Sequence, residues 1–97
     1  MRVVSYPAFE RVVKKLHANA KQDLDKAVKT ISRSPLTGDL KKGDLSGVRV
    51  FKFNMVNHVT LLAYTYNESE KTIALLALGS HENFYRSLKR SAAKGRL

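Results

Sequence analysis

Basic, imidazole and phenol side chains are the groups in this sequence that could carry chemistry, and most of them fall in its second half. The set consists of Lys41, Lys42, Arg49, Lys52, His81, Tyr85 and Arg86. His81 and Tyr85 are four residues apart, so they would share one face of a helix. No Gly-rich phosphate loop, zinc-binding HExxH pattern or nucleophile elbow occurs anywhere in the chain.

Such a set suits the cleavage of RNA without a metal ion. The 2′-hydroxyl of RNA attacks the neighbouring phosphorus once a base removes its proton, and an acid then protonates the departing 5′-oxygen. An imidazole suits both proton transfers because it ordinarily titrates near neutral pH. Lysine and arginine cations suit the stabilisation of the negative charge that develops on phosphorus.

Simpler roles compete with this chemistry. A histidine at the start of a helix is commonly a cap or a surface residue, and Tyr85 could pack with Phe84 and Leu88 against a sheet. Arg49 and Lys52 are three residues apart, so an ideal strand places them on opposite faces. A lysine on the side of Val48 and Val50 is harder to explain as packing, which favours Lys52 as the site residue.

Charge is the strongest global signal. The 97 residues contain 18 Lys and Arg against 8 Asp and Glu, a formal net charge of +10. This excess favours a polyanionic partner, either nucleic acid or an acidic protein. The acidic residues are scattered, so we expect no metal site and no cofactor, and the absence of cysteine excludes disulfides. We also expect no membrane span, no secretory signal and a cytoplasmic location.

The hydrophobic pattern predicts a single domain, residues 1–97, of the α+β class with the order β-α-α-β-β-β-α. A short strand at the start is followed by a helix over 8–18 and a break at Asn19-Ala20. A second helix follows, with Asp23 in its first turn and Arg33 near its end, and Ser34-Pro35 stops it. A loop over 36–47 precedes three strands, over 48–53, 59–66 and 72–78. Gly79-Ser80 would end the last strand, and a helix would follow over 81–90. The expected architecture is a helical hairpin packed on a small, mostly antiparallel sheet.

Three segments resemble motifs of the RelE/ParE superfamily of bacterial toxins. The run from Asp39 to Phe53, which contains Leu45, Gly47 and Arg49, is similar to the L-x-G-x-(W/Y/V)-R entry into the sheet of those toxins. Leu61-Leu62-Ala63-Tyr64 is similar to their second sheet strand. Gly79-Ser80-His81 and the residues that follow, to Tyr85, resemble their closing G-(S/T)-H-x-x-(V/L)-(Y/F) element. The order of the elements matches over nearly the whole chain.

This resemblance implies the toxin of a type II toxin–antitoxin pair. The RelE, YoeB, YafQ and HigB branches are ribosome-dependent endoribonucleases that cut mRNA. His81 would then be a proton-transfer residue, Lys52 a second catalytic residue that acts as base or as cation, and Tyr85 the aromatic that orients the substrate. Lys41, Lys42, Arg49 and Arg86 would bind RNA, and Arg49 could instead be structural. The implied partners are a small acidic antitoxin, the ribosome and mRNA, with a toxin–antitoxin hetero-oligomer possible.

Two departures from the family pattern keep other functions open. Leu61 stands where RelE and YoeB types carry a strand arginine that clamps the scissile phosphate, and Lys42 or Gly43 occupies the neighbourhood of the YoeB loop glutamate. One alternative is a ParE-type toxin, which inhibits DNA gyrase by binding it and lacks the nuclease residues. The other is a basic RNA-binding domain without chemistry of its own.

Overall fold

Two helices precede most of the sheet in the computed structural model, which describes residues 1–80 together with Phe84. Helix α1 spans Pro7–Lys14 and helix α2 spans Ala18–Arg33. Pro7 occupies the first turn of α1, where a missing N–H is tolerated. The sequence pattern placed the break between the helices at Asn19-Ala20, which is wrong. The break lies at residues 15–17, and His17 caps α2 in an extended conformation.

Within residues 1–80, five strands form one sheet. They are β1 (Arg2–Ser5), β2 (Asp39–Leu40), β3 (Arg49–Met55), β4 (His58–Asn67) and β5 (Thr72–Ser80). Their order across the sheet is β1-β5-β4-β3-β2, with β1 parallel to β5 and every other pair antiparallel. The α+β class and the helical hairpin on a mostly antiparallel sheet are thus confirmed.

The region expected to be a plain loop contains the extra strand β2 and a short 3₁₀ turn over Gly43–Leu45. A two-residue strand has too few positions to show an alternating pattern, which explains why the sequence did not reveal it. Strand β5 also continues through Gly79 and Ser80, which were expected to end it. The helix predicted over 81–90 lies outside the described residues except for Phe84, which is helical.

The sheet has an apolar layer on each face. On one face, which we call the helix face, α1 and α2 cover it, and Phe9, Leu24 and Ile31 pack on residues of β4 and β5 such as Leu62 and Ile73. The other face, which we call the open face, carries a second buried cluster: Leu45, Val48, Val50, Leu61, Ala63, Leu76 and Phe84. Both faces therefore contribute to the core, although only one is covered by the helical hairpin.

A β-bulge in β5 explains why this strand is apolar nearly throughout. Ala63 pairs with Ala77 and Tyr64 with Leu75, so Leu76 is the extra residue. The insertion lets Leu76 join the open-face cluster while Leu75 and Leu78 pack on the helix face. The bulge thereby sets the facing of Gly79, which lies beyond it near the candidate site.

Candidate nucleic-acid site on the open face of the sheet

Lys52 projects from the middle of β3 on the open face. Its side chain is exposed, while its cross-strand partner Leu61 is only 1% exposed. Leu61 in turn pairs with Gly79 of β5. Strands lie about 4.8 Å apart, so Gly79 is about 10 Å from Lys52 across the sheet. The chain passes from Gly79 through Ser80 to His81. His81 is therefore two residues along the chain from Gly79, which is in register with Lys52, the other residue predicted for proton transfer.

Arg49 lies on the helix face, as strand alternation requires, and the structure does not bring it next to Lys52. It is half-buried, and its Nη1 donates hydrogen bonds to the carbonyl oxygens of Leu36 at 3.2 Å and Gly38 at 3.0 Å. Two charge-assisted bonds of this kind hold the loop that precedes β2. In the described structure the guanidinium therefore has the structural role that the sequence left open beside RNA binding.

Tyr64 is the cross-strand partner of Arg49 and anchors the same loop. Its hydroxyl donates to the carbonyl oxygen of Pro35 at 2.7 Å and accepts the N–H of Gly38 at 3.0 Å. The side chain is fully buried, and this burial raises the pKa of Tyr64, although the Gly38 N–H and the Arg49 charge oppose the rise. We call Arg49, Tyr64 and the loop groups they bind, over residues 35–38, the loop anchor.

Glycine is required at position 38 by this contact. A Cβ there would approach the Tyr64 hydroxyl to 2.8 Å and a ring carbon of Tyr64 to 2.9 Å, both too close for real atoms. The sequence drew attention to Tyr64 only as part of a strand motif and missed its role. The available signal was general: a buried tyrosine hydroxyl almost always finds a hydrogen-bond partner.

The lysines of the loop lie at the far end of β3 from Lys52. The backbone N–H of Lys41 donates to the carbonyl oxygen of Val48 at 2.9 Å, which brings Lys41 beside the covered part of the open face. Lys42 is exposed. Val48 is four positions before Lys52, so the two residues are about 13 Å apart along the extended chain. The two lysines thus add positive charge at the other end of β3, and they do not share a pocket with Lys52.

The Leu-x-Gly-x-Arg motif has a structural explanation. Leu45 is buried in the open-face cluster, and Gly47 adopts φ +86°, a conformation that favours glycine. Arg49 then closes the loop anchor. The motif therefore turns the chain into β3 with the correct facing for Lys52.

His81, Tyr85 and Arg86 lie outside the described residues, so their predicted roles remain predictions. Phe84, which falls among them in the chain, is buried in the open-face cluster. Its ring would be 3.4 Å from a Cβ built on Gly79. Phe84 therefore borders the open face beside Gly79. Gly79, Leu61 and Lys52 lie in one row across the strands.

A groove of about 500 Å³ lies on the helix face, between the α1–α2 connection and the β3–β4 turn. Val12, Leu16, Met55 and Leu78 line it, and Lys15, His17 and His58 stand around it. Both histidines are exposed.

Two general properties of the described residues bear on ligands and membranes. No three His, Asp or Glu side chains within 1–80 come together as ligands of one metal ion would. Neither helix of the described part is long and apolar enough to cross a bilayer.

The fold and the site together define a small basic protein with a helical hairpin on one face of its sheet and an exposed lysine on the other. Residues 3–89 match the model of a family described as ParE-like toxin of type II bacterial toxin–antitoxin system. This match spans most of the chain, so the protein belongs to the ParE-like toxin family. No curated protein matches the chain.

Solved structures with the same fold include several toxins. A variant of the Escherichia coli toxin RelE in the free state has a TM-score of 0.72 at 17% identity, covering 99% of this chain and 96% of that one. The intact E. coli RelBE toxin–antitoxin complex gives 0.67 at 15% identity, with 84% and 96% covered. A YoeB/ParE toxin from Agrobacterium tumefaciens gives 0.66 at 15% identity, with 84% and 99% covered. The resemblance to RelE/ParE toxins is confirmed, and at these identities the structures share the fold.

Proposed function

We propose that this toxin is a metal-independent endoribonuclease that cuts mRNA on the ribosome and so inhibits translation. The observation that supports it most directly is the position of Lys52. It is an exposed cation at mid-sheet, in register with Leu61 and Gly79, and the chain continues from Gly79 to His81 within two residues. Cleavage at a phosphate needs a cation beside a proton-transfer group. Lys52 lies in one cross-strand row with Gly79, the residue from which the chain leads to His81.

The proposed reaction is an internal transesterification. The RNA 2′-oxygen loses its proton to a base and bonds to the adjacent phosphorus, and the bond from phosphorus to the 5′-oxygen breaks. The leaving oxygen takes a proton from an acid, which leaves a 2′,3′-cyclic phosphate and a 5′-hydroxyl end. His81 is proposed for proton transfer, Lys52 for charge stabilisation or as the base, and Tyr85 for orienting the substrate. Lys41, Lys42 and Arg86 would attract the RNA backbone.

An antitoxin partner is part of this proposal. The solved RelBE structure is a complex of toxin and antitoxin. A chain with a net charge of +10 is suited to a small acidic protein that covers the basic surface. The toxin would act in the cytoplasm, where mRNA and ribosomes are found.

The test is induced expression of wild type, Lys52→Ala and His81→Ala in bacteria, with growth recorded and mRNA 5′ ends mapped. Wild type should arrest growth and create new 5′ ends in translated messages. Each variant should reduce these ends by about 100-fold or more, the usual contribution of a proton-transfer group. Lys29→Ala is the matched control, because Lys29 is an exposed lysine of α2, on the other side of the sheet. Arrest with intact mRNA, equal in all four proteins, would refute the nuclease.

A gyrase-binding toxin is the second candidate, and two observations favour it. The matching family is described as ParE-like, and Leu61, at the position of the phosphate-clamping arginine of RelE types, is buried and offers no charge. In that case Lys52→Ala and His81→Ala would leave toxicity intact. Inhibition of DNA supercoiling by the purified protein would then replace mRNA cleavage as the measured activity.

A further inference from the structure

The open face has a covered half and a bare half. Val48, Val50 and Ala63 are buried beneath Leu45 and Phe84 in the covered half. From the row of Leu61 toward the β3–β4 turn, Lys52, Asn54 and Val59 are all exposed, and Val59 keeps 49% of its surface in contact with solvent. These three side chains form what we call the bare patch.

The register places the members of the bare patch side by side. Asn54 is directly opposite Val59, and Lys52 is directly opposite Leu61. Opposed side chains have Cβ atoms about 5 Å apart, and Lys52 and Asn54, two residues apart on one strand, lie about 7 Å apart. A cation, an amide and an apolar side chain are therefore within the span of one nucleotide.

Asn54 is unusual among the asparagines in the described part of the chain. Asn19 and Asn67 each accept a backbone N–H through their side-chain oxygen, and Asn57 occupies a turn at φ +64°. Asn54 instead sits inside a strand, where asparagine is disfavoured. Within residues 1–80 its amide has no hydrogen-bond partner. Local structure thus gives no reason for an amide at this position.

The charge of the bare patch suits RNA. Lys52 supplies a cation that makes no ion pair with any described residue, and none of the three members is acidic. Asp39 is on the same face, but its partner is Val50 of the covered half. Apolar side chains contact the flat face of an unstacked base, and an asparagine amide can donate and accept along the edge of the base.

From this arrangement we infer that Asn54 and Val59 are a base-recognition subsite for one nucleotide of single-stranded mRNA beside the scissile phosphate. Val59 contacts the face of the base, Asn54 bonds its edge, and Lys52 contacts the phosphate. The inference rests on the proposed nuclease function and adds the residues that determine its sequence preference. It separates cleavage, which needs Lys52, from base choice, which needs Asn54.

The hydrogen-bonding groups of Asn54 predict which base a substituted enzyme should prefer. An amide offers one donor and one acceptor edge, whereas the carboxylate of an aspartate only accepts. Asn54→Asp should therefore move the preference toward guanine, which presents the N1–H and N2–H donors next to each other. Asn54→Ala should flatten the preference at one position beside the cut by about fivefold or more, since this is the smaller end of the discrimination that a bidentate contact gives.

The experiment maps mRNA 5′ ends after induction of wild type, Asn54→Ala, Asn54→Thr and Asn54→Asp, and compares base frequencies around the cuts. Threonine is included because it is favourable in strands and keeps β3 stable. Gln22→Ala is the matched control, an exposed amide of α2 that should leave the profile unchanged. The expected result is continued cleavage with a changed preference at a single position.

Three results would overturn the inference, and they are distinguishable. If wild type cleaves and the Asn54 variants give the same base profile, Asn54 does not recognise a base. If the folded variants lose cleavage altogether, Asn54 serves the reaction and not base choice. If wild type itself cuts no mRNA, the proposed function fails, and this inference fails with it.

Discussion

The hydroxyl of Tyr64 satisfies a buried backbone N–H and a part-buried backbone carbonyl. It accepts from the Gly38 N–H and donates to the Pro35 carbonyl, while Arg49 binds the carbonyl of Gly38 from the other side. Two of these bonds hold Gly38 and the third holds Pro35, so the loop has little freedom. The segment that leads to Lys41 and Lys42 is thus fixed by two residues on the helix face of the sheet, Tyr64 and Arg49.

Replacing Tyr64 with phenylalanine tests the loop anchor. The change removes both hydrogen bonds and leaves a buried N–H unpaired, so the free energy of unfolding should fall by about 1–3 kcal/mol. Burial raises the pKa of Tyr64, so its contribution is full below the ordinary tyrosine value of about 10 and is lost as the pH rises through the raised value. Urea unfolding at pH values from about 8 to about 11 should show the gap between wild type and variant narrowing at the alkaline end.

Wild type and the phenylalanine variant differ only at this hydroxyl, so pH effects that are common to the two proteins cancel in the comparison. A gap that widens with pH, or no gap at neutral pH, would contradict the role given to this hydroxyl.

At the residue scale the sequence predicted that Arg49 and Lys52 face opposite sides of the sheet, but it did not predict the contacts of Arg49. Strand alternation is a local rule, so the opposite facing of the two side chains could be derived from their spacing. The role of Arg49 depends on carbonyl oxygens 11 and 13 residues away. Contacts of that kind are set by tertiary structure, and composition or spacing does not reveal them.

The turn of the β3–β4 hairpin contains a valine, Val56, in a backbone conformation that β-branched residues disfavour. Val56 and Asn57 have φ values of +50° and +64°, the type of backbone found in tight two-residue hairpins. Asparagine accepts this conformation, but a β-branched residue is disfavoured in it. Asp23 of α2 compensates by accepting the Val56 N–H at 2.8 Å, which ties the turn to the helical hairpin.

Val56→Asn should therefore stabilise the protein by about 1 kcal/mol, the lower end of the cost of the left-handed conformation for an ordinary residue. Val56 is partly exposed, so little apolar burial is lost with it. The midpoint of urea unfolding is the measurement, and it should rise. Val59→Asn is a matched control in an ordinary strand conformation, and it should not stabilise. A lower midpoint for Val56→Asn would mean that the valine packs against the helices more than its exposure indicates.

At the scale of elements the order of helices and main strands followed from apolar periodicity, because long periodic segments report their own type. Strand β2 and the true break between α1 and α2 did not follow. Both are short and are determined by partners: β2 by its pairing with β3, and the break by the bonds that Lys15 and Leu16 make to Val12 and Val13.

Charge acts on the molecule as a whole. With a net charge of +10 and a radius of gyration of 12.5 Å, the cations of one side act on those of the other when salt is low. The screening length is about 30 Å at 0.01 M salt and about 8 Å at 0.15 M. Raising NaCl across this range should therefore raise the thermal unfolding midpoint of the free toxin, because self-repulsion is screened.

A variant with Lys26→Glu and Lys29→Glu, both exposed on α2, has a smaller charge excess and should show a smaller rise. An equal rise in both proteins would indicate a specific ion effect in place of self-repulsion.

The parallel pairing of β1 with β5 has a consequence for synthesis. Arg2 pairs with Thr72 and Ser5 with Leu75, so β1 cannot pair until β5, about 70 residues later in the chain, has been made. Contacts between such distant parts of a chain form late and slowly. The sheet cannot be completed on a nascent chain that still has β5 inside the exit tunnel. A toxin with this connectivity therefore completes its sheet only after β5 has left the ribosome.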